Sequence, residues 1–312
     1  MTNIMSKPFA SAAILWSMIT GQVIAVPEAA SRNPHDLPSG LVTLSAAQSD
    51  GSVNSNSASP DKSASRGKSG KGNPCSGWED NFNTGSLDTS RWTVANGQAP
   101  GYIPNLHIGY YLPGNVSLEN GLLALTLNQQ GGAVGTNPSG IVSNGALIYT
   151  NFKCGYGTYE WNMRMSSATN SYAATGVPIS GSVSAGFLYV NNSQTEIDFE
   201  YSATNPQTIW FVNWLNPKPR NDPTSANETA TPYSLPEVYN DFHDYKLVWS
   251  SGLISFYIDG EWKKDHTTNV PSAAAYFMIN HWGTNSSGWG GLATTDTPRY
   301  FFVTHAKYPP LQ

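Results

Sequence analysis

Charge is scarce in this chain. Sixteen Lys and Arg and 21 Asp and Glu make up 12 % of 312 residues, against about a quarter in an average soluble protein. The formal net charge of −5 leaves no broad cationic field, which argues against a nucleic-acid binder that works by neutralising phosphates. Long Ala/Glu/Lys/Leu stretches are missing, and with them the helical bundle. Aromatic residues are absent from Ser17 to Gly77, so no packed core is expected there. Histidines number six and show no metal-ligand spacing; there is no GxSxG elbow and no GxGxxG after a strand. His243 and His281 are therefore read as structural. Gly67-Lys68-Ser69 lacks the leading glycine of a phosphate-binding loop, because Lys62 stands in its place.

Long apolar runs are also lacking. The one candidate, Phe9 to Ile24, is broken by Ser, Thr, Gly and Gln and falls short of the roughly 20 strongly apolar residues a membrane span needs. Lys7 ahead of it and the small residues around Val23-Ile24-Ala25 give the pattern of a signal peptide over residues 1–25. The expected destination is the extracellular or cell-wall space, with no membrane attachment after cleavage. Residues 26–74, rich in Ser, Gly and Asn, read as a disordered linker. Residues 75–312 read as one domain of about 235 residues, a size that suits a β-sandwich. Cysteine occurs only at Cys75 and Cys154. In an oxidising compartment the two either pair, closing a loop worth roughly 4 to 5 kcal/mol in the chain-entropy model, or stay as two buried thiols.

What the chain does have is aromatic and amide-rich. Aromatics make up 12 %, and a surface of Trp, Tyr, Asn, Ser and Thr suits neutral polar ligands such as carbohydrate. Its periodicity is mostly two. Leu123, Leu125 and Leu127 alternate with small residues, and Tyr159, Trp161, Met163 and Met165 alternate with polar ones. Further strands are predicted over 184–190, 195–201, 207–214, 243–249, 253–258, 276–282 and 300–305, with Asp259-Gly260 as a hairpin turn. A short helical turn is predicted only over 236–242. The architecture is all-β: two antiparallel sheets packed face to face, one of them bent into a groove.

Thr195-Glu196-Ile197-Asp198-Phe199-Glu200-Tyr201 carries the chemistry. On a strand, Glu196, Asp198 and Glu200 share one face while Ile197, Phe199 and Tyr201 share the other. Like charges along one face destabilise a strand. A compensating use is the cleavage of a sugar linkage, in which one carboxyl attacks the anomeric carbon and another protonates the leaving oxygen. An inert solvated face or a calcium-binding edge is the alternative on the pattern alone.

Glu-Ile-Asp-Phe-Glu resembles the ExDxE active-site strand of glycoside hydrolase family 16. Asp80 to Trp92, Gly155 to Met165 and Met278 to Trp282 resemble that family's opening strand, the strand ahead of its groove and a later groove strand, in the same order. The resemblance covers about residues 78 to 308. It implies a jelly-roll fold of the concanavalin A-like lectin/glucanase type, with Glu196 as nucleophile, Glu200 as acid/base and Asp198 as assisting carboxylate. By position it makes Glu160, Phe187, Tyr189, Asn213, Asn280 and Trp282 substrate-binding residues, with Trp282 stacking on a sugar. Period two puts Phe187 and Tyr189 together, either both in the groove or both in the core. No cofactor is required; a structural calcium ion held by backbone oxygens is compatible with the family.

The expected partner is a β-glucan and the expected state a monomer. The implied activity is that of a secreted, retaining endo-β-glucanase acting on β-1,3-1,4-glucan or related β-glucans. The alternatives are a cell-wall transglycosylase of the same fold and an inert carbohydrate-binding lectin. Two features depart from the family. Asn192-Ser193-Gln194 stands where many members carry a Trp, and a Pro-rich stretch, 216–223, lies in a long connection between strands.

Overall fold

The computed structural model describes residues 75–218 and 226–309. The expected signal peptide (1–25), the linker (26–74) and part of the Pro-rich stretch lie outside the described residues. Within them the chain forms β1 (Trp78–Asp80), β2 (Trp92–Val94), β3 (Gly97–Ile103), β4 (His107–Tyr111), β5 (Val116–Glu119), β6 (Leu122–Val134), β7 (Asn137–Cys154), β8 (Gly157–Ser167) and β9 (Ser182–Val190). They are followed by β10 (Thr195–Ser202), β11 (Thr208–Trp214), β12 (Glu228–Ser234), β13 (His243–Ser250), β14 (Leu253–Ile258), β15 (Glu261–His266), β16 (Ala275–Gly283) and β17 (Arg299–Tyr308).

Two antiparallel sheets dominate. The front sheet runs β2-β7-β16-β9-β10-β11-β12 in space, and the back sheet runs β15-β14-β13-β8-β17-β6-β5, with β1 on the far end of β17. The long strands β6 and β7 continue past both sheets and pair with each other, and β4 joins β7 there in a parallel ladder. That ladder departs from the purely antiparallel expectation. It forms because the β3–β4 hairpin folds back along β7 instead of extending a sheet edge.

The strands are amphipathic because both sheets bury one face against the other. Tyr159, Trp161, Met163 and Met165 from the back sheet meet Ile197, Phe199, Tyr201, Phe211 and Phe277 from the front. Trp161 stacks on Phe277 at 4.4 Å between ring centroids, and Phe211 stacks on Phe256 at 4.8 Å. Burying each such side chain stabilises the fold by roughly 1.5 to 3 kcal/mol. Gly186, opposite Phe199 on the core face, gives Trp161 and Met163 their space: a Cβ there would sit 2.7 Å from the Met163 sulfur.

Turn chemistry follows sequence. Asp259 and Gly260 take left-handed φ angles of 54° and 79° and close the β14–β15 hairpin. The segment 236–242, expected as a short helical turn, forms turns without a helix, because Glu237 sits at φ 64°, outside the right-handed helical region. Cys75 and Cys154 form a disulfide that ties the start of the domain to the end of β7 across a sequence separation of 79.

Candidate active site

β10 sits inside the front sheet between β9 and β11, and its two faces divide as the alternation requires. Ile197, Phe199 and Tyr201 enter the core between the sheets. Glu196, Asp198 and Glu200 therefore line the opposite face, and all three are nearly fully buried, at 0 %, 1 % and 6 % exposure. On the β9 side their cross-strand neighbours are Tyr189, Phe187 and Ala185; on the β11 side they are Trp214, Val212 and Trp210. Beyond Trp214 in the same row, β12 presents Glu228.

Burial of closely spaced carboxyls decides their protonation. Desolvation holds Asp198 well above the usual carboxylate range, and the charges of Glu196, Glu200 and Glu228 push it further in the same direction. Among the described residues no donor reaches either Asp198 oxygen, so its ionised form is uncompensated. Protonated, it can donate a hydrogen bond to a neighbouring carboxylate. Glu196 is held differently: the buried Ser193 hydroxyl donates to its Oε2. Glu228 is raised to about 7, by desolvation first and by Glu200 second.

The raised Glu228 carboxyl makes a stability prediction. A group that is more basic in the folded state stabilises below its unfolded value and loses that contribution as pH rises through the folded value. Stability is therefore expected to decline between about pH 4.5 and 7. Glu228→Gln should flatten this decline and leave the variant more stable than wild type at pH 8. The gain is about 2 kcal/mol, below the full linkage value because the side chain is partly exposed. Urea midpoints measured from pH 4 to 8 test it.

The other residues singled out by sequence divide into three groups. Phe187 and Tyr189 lie on the acid-bearing face, in an aromatic cluster with Tyr149, Met278 and Trp282. Asn280 faces the same way, one strand beyond Ala185, and its amide donates to the Tyr111 hydroxyl at 3.4 Å. Burial raises Tyr111, and Glu200 adds to the shift, which places this pair within reach of the Glu200 charge. Trp282 shares the face but is covered: it is 2 % exposed, and a Cβ on Gly101 of β3 would lie 3.0 Å from its ring. The β3–β4 hairpin packs against the ring there.

Two residues belong elsewhere. Asn213 pairs with Ile197, so it points to the face opposite the acids. There its amide donates to the Thr268 and Asn269 carbonyls, and its oxygen pairs with His266 Nδ1. Glu160 lies on β8 of the back sheet. Tyr159 and Trp161 enter the core, which turns Glu160 outward to an ion pair with Lys307 at 3.3 Å. His281 is structural, bonded to the Leu125 carbonyl and Ser166 and lowered to about 3 by burial.

Sequence reasoning passed over Trp210, Trp214, Trp289, Glu228 and Ser193. Trp210 and Trp214 are half-buried beside Glu200 and Glu196, and Trp289 meets Trp210 edge-on at 5.5 Å. The signal for the first two was present: in Ile209-Trp210-Phe211-Val212-Asn213-Trp214, the buried Ile209 and Phe211 place both tryptophans on the other face.

Comparison with known proteins gives consistent results. A family model described as glycosyl hydrolases family 16 matches residues 109–300. A β-glucanase of Acetivibrio thermocellus is 29 % identical over 230 residues, covering 72 % of this chain and 60 % of the relative, so the chain spans about three fifths of that relative's length. A β-glucanase of Paenibacillus polymyxa is 27 % identical over 228 residues, covering 71 % of this chain and 84 % of the relative. The crystal structure of a prokaryotic β-1,3-1,4-glucanase (lichenase) from a mouse hindgut metagenome superposes with a TM-score of 0.60 at 22 % identity. It covers 76 % of this chain and all of that one, a likeness of fold.

Proposed function

Because this chain belongs to glycosyl hydrolase family 16, a glycoside hydrolase family, we propose that it is a secreted, retaining endo-β-glucanase acting on β-1,3-1,4-glucan or a related β-glucan. The observation that carries the proposal is the row of Glu196, Asp198 and Glu200 on one buried face with tryptophans alongside, where burial and the flanking carboxyls hold Asp198 well above the usual carboxylate range.

The steps follow from the placement. A Glu196 oxygen bonds to the anomeric carbon as the glycosidic bond breaks. The bond's electron pair leaves with the departing oxygen, which takes the proton of Glu200. Water then gives a proton to Glu200 and its oxygen bonds to the anomeric carbon, and the electron pair returns to Glu196. Asp198, whose proton affinity burial and its neighbours raise, can in its protonated form donate to whichever flanking carboxylate carries the charge. Trp210 and Trp214 supply aromatic faces for sugar C–H groups on the β11 side. The Cα atoms of Glu196 and Glu200 are about 13 Å apart on an ideal strand. Direct attack needs the two carboxyls about 5 to 5.5 Å apart, a separation that strand twist and two flexible Glu side chains allow across Asp198.

Retention is tested by NMR of the first product released from barley glucan, which should be the β-anomer before mutarotation. An initial α-anomer would overturn both the mechanism and the role of Glu196. Reducing-sugar assays on barley glucan, laminarin, xyloglucan and chitin should show preference for the first. With labelled oligosaccharide acceptors present, shortened glucan should dominate; labelled polymer as the main product would make the protein a transglycosylase.

A further inference from the structure

The connection from β9 to β10 is only four residues long, Asn191 to Gln194, and its backbone is unusual. Asn191, Asn192 and Ser193 take successive left-handed φ angles of 46°, 50° and 59°. Asn tolerates this region well, but serine visits it rarely. Two bonds from the start of the following long connection hold the turn in place. The Asn216 amide group donates to the Asn192 carbonyl at 2.9 Å, and the Asn216 backbone N–H donates to the Ser193 carbonyl at 2.9 Å. The turn also closes on itself, the Gln194 N–H donating to the Asn191 carbonyl at 3.1 Å. The result is a fully buried Ser193 whose hydroxyl is aimed three residues ahead, at Oε2 of Glu196.

We propose that Ser193 is the positioning residue of the nucleophile: its hydroxyl holds Glu196 Oε2, so that Oε1 is the oxygen presented to the anomeric carbon. The idea rests on the reading of Glu196 given above. A serine hydroxyl has one proton, and donating it favours the ionised carboxylate, the form that must attack and that must be regenerated when water releases the sugar. The surroundings make such a donor useful. Asp198 and Glu200 on the same strand and Glu228 on β12 all add negative charge or compete for protons, while Tyr189 of β9, Trp214 of β11 and Tyr276 of β16 are the other neighbours in the Glu196 row. The cation of that row, Lys153 of β7, lies beyond Tyr276, with its ammonium 5.6 Å from that ring's centroid.

The test separates positioning from structure because glycine suits a left-handed position better than serine does. Ser193→Gly, with Ser193→Ala beside it, is made in a host that does not glycosylate, since Ser193 completes an Asn-x-Ser triplet at Asn191. For the Gly variant, kcat on barley glucan should fall about 10- to 100-fold, the range expected for losing a hydrogen bond to a charged group. KM should stay within about twofold, and the acid limb of the pH profile should move up by about one unit. Tm should hold or rise. Wild-type kcat with an unmoved acid limb would overturn the proposal. A loss of Tm that tracks the loss of kcat in both variants would also overturn it, by making Ser193 structural. Glu196→Ala, assayed in parallel with azide, reports separately on whether Glu196 is the nucleophile.

Discussion

Glu196→Ala is expected to lower turnover of β-glucan by on the order of 10⁴- to 10⁶-fold, the scale on which enzymes lose a covalent nucleophile. The fold should persist, since the change removes a buried carboxyl from a row of like groups and leaves the Ile197, Phe199 and Tyr201 core face intact. The cavity left by the carboxyl is where the reading becomes specific. Azide is small and nucleophilic, and it can approach the anomeric carbon from the side that Glu196 occupied. An activated aryl β-glucoside should then give an α-glycosyl azide, a single displacement with inverted configuration. Full activity without azide would remove Glu196 from the mechanism.

Glu200→Ala is expected to behave as the mirror of this. General acid–base catalysis contributes about 10²- to 10⁴-fold, and a natural glucan, with a poor leaving group, should lose about that factor. An aryl glycoside whose leaving group needs no proton should still form the glycosyl-enzyme on Glu196 and then stall, because no base remains to activate water. Azide needs no such base. It should speed release and give a β-glycosyl azide with retained configuration after two displacements. The pair of variants thus yields opposite anomers from one substrate, which a shared structural defect would not produce. An α-azide from Glu200→Ala would exchange the two roles.

Several features of the site were legible without coordinates. Alternation alone assigns Glu196, Asp198 and Glu200 to one face and Ile197, Phe199 and Tyr201 to the other, because successive strand side chains point to opposite sides. The same rule keeps Phe187 and Tyr189 together, and both lie on the acid-bearing face. The alternating hydrophobic runs locate most of the strands. Asp259-Gly260 locates a hairpin because its φ requirement is local.

Alternation is silent about everything that depends on which strand lies beside which. Glu160 alternates correctly with Tyr159 and Trp161, yet its strand belongs to the back sheet, so its outward face is remote from the acids. Asn213 is expected among them by its position in the family pattern, yet it pairs with Ile197, and a register one residue different would reverse that. Trp282 has the right face, but a hairpin more than 170 residues earlier in sequence covers it. The place of Glu228 in the Glu196 row, beyond Trp214, arises only once β11 and β12 are paired in register. The sequence by itself therefore determined the fold class and the three acids on one face, because strand periodicity is a property of neighbouring residues. Tertiary structure alone decided which residues surround those acids and how burial and mutual charge distribute their protons, because pairing, register and desolvation are relations between distant segments.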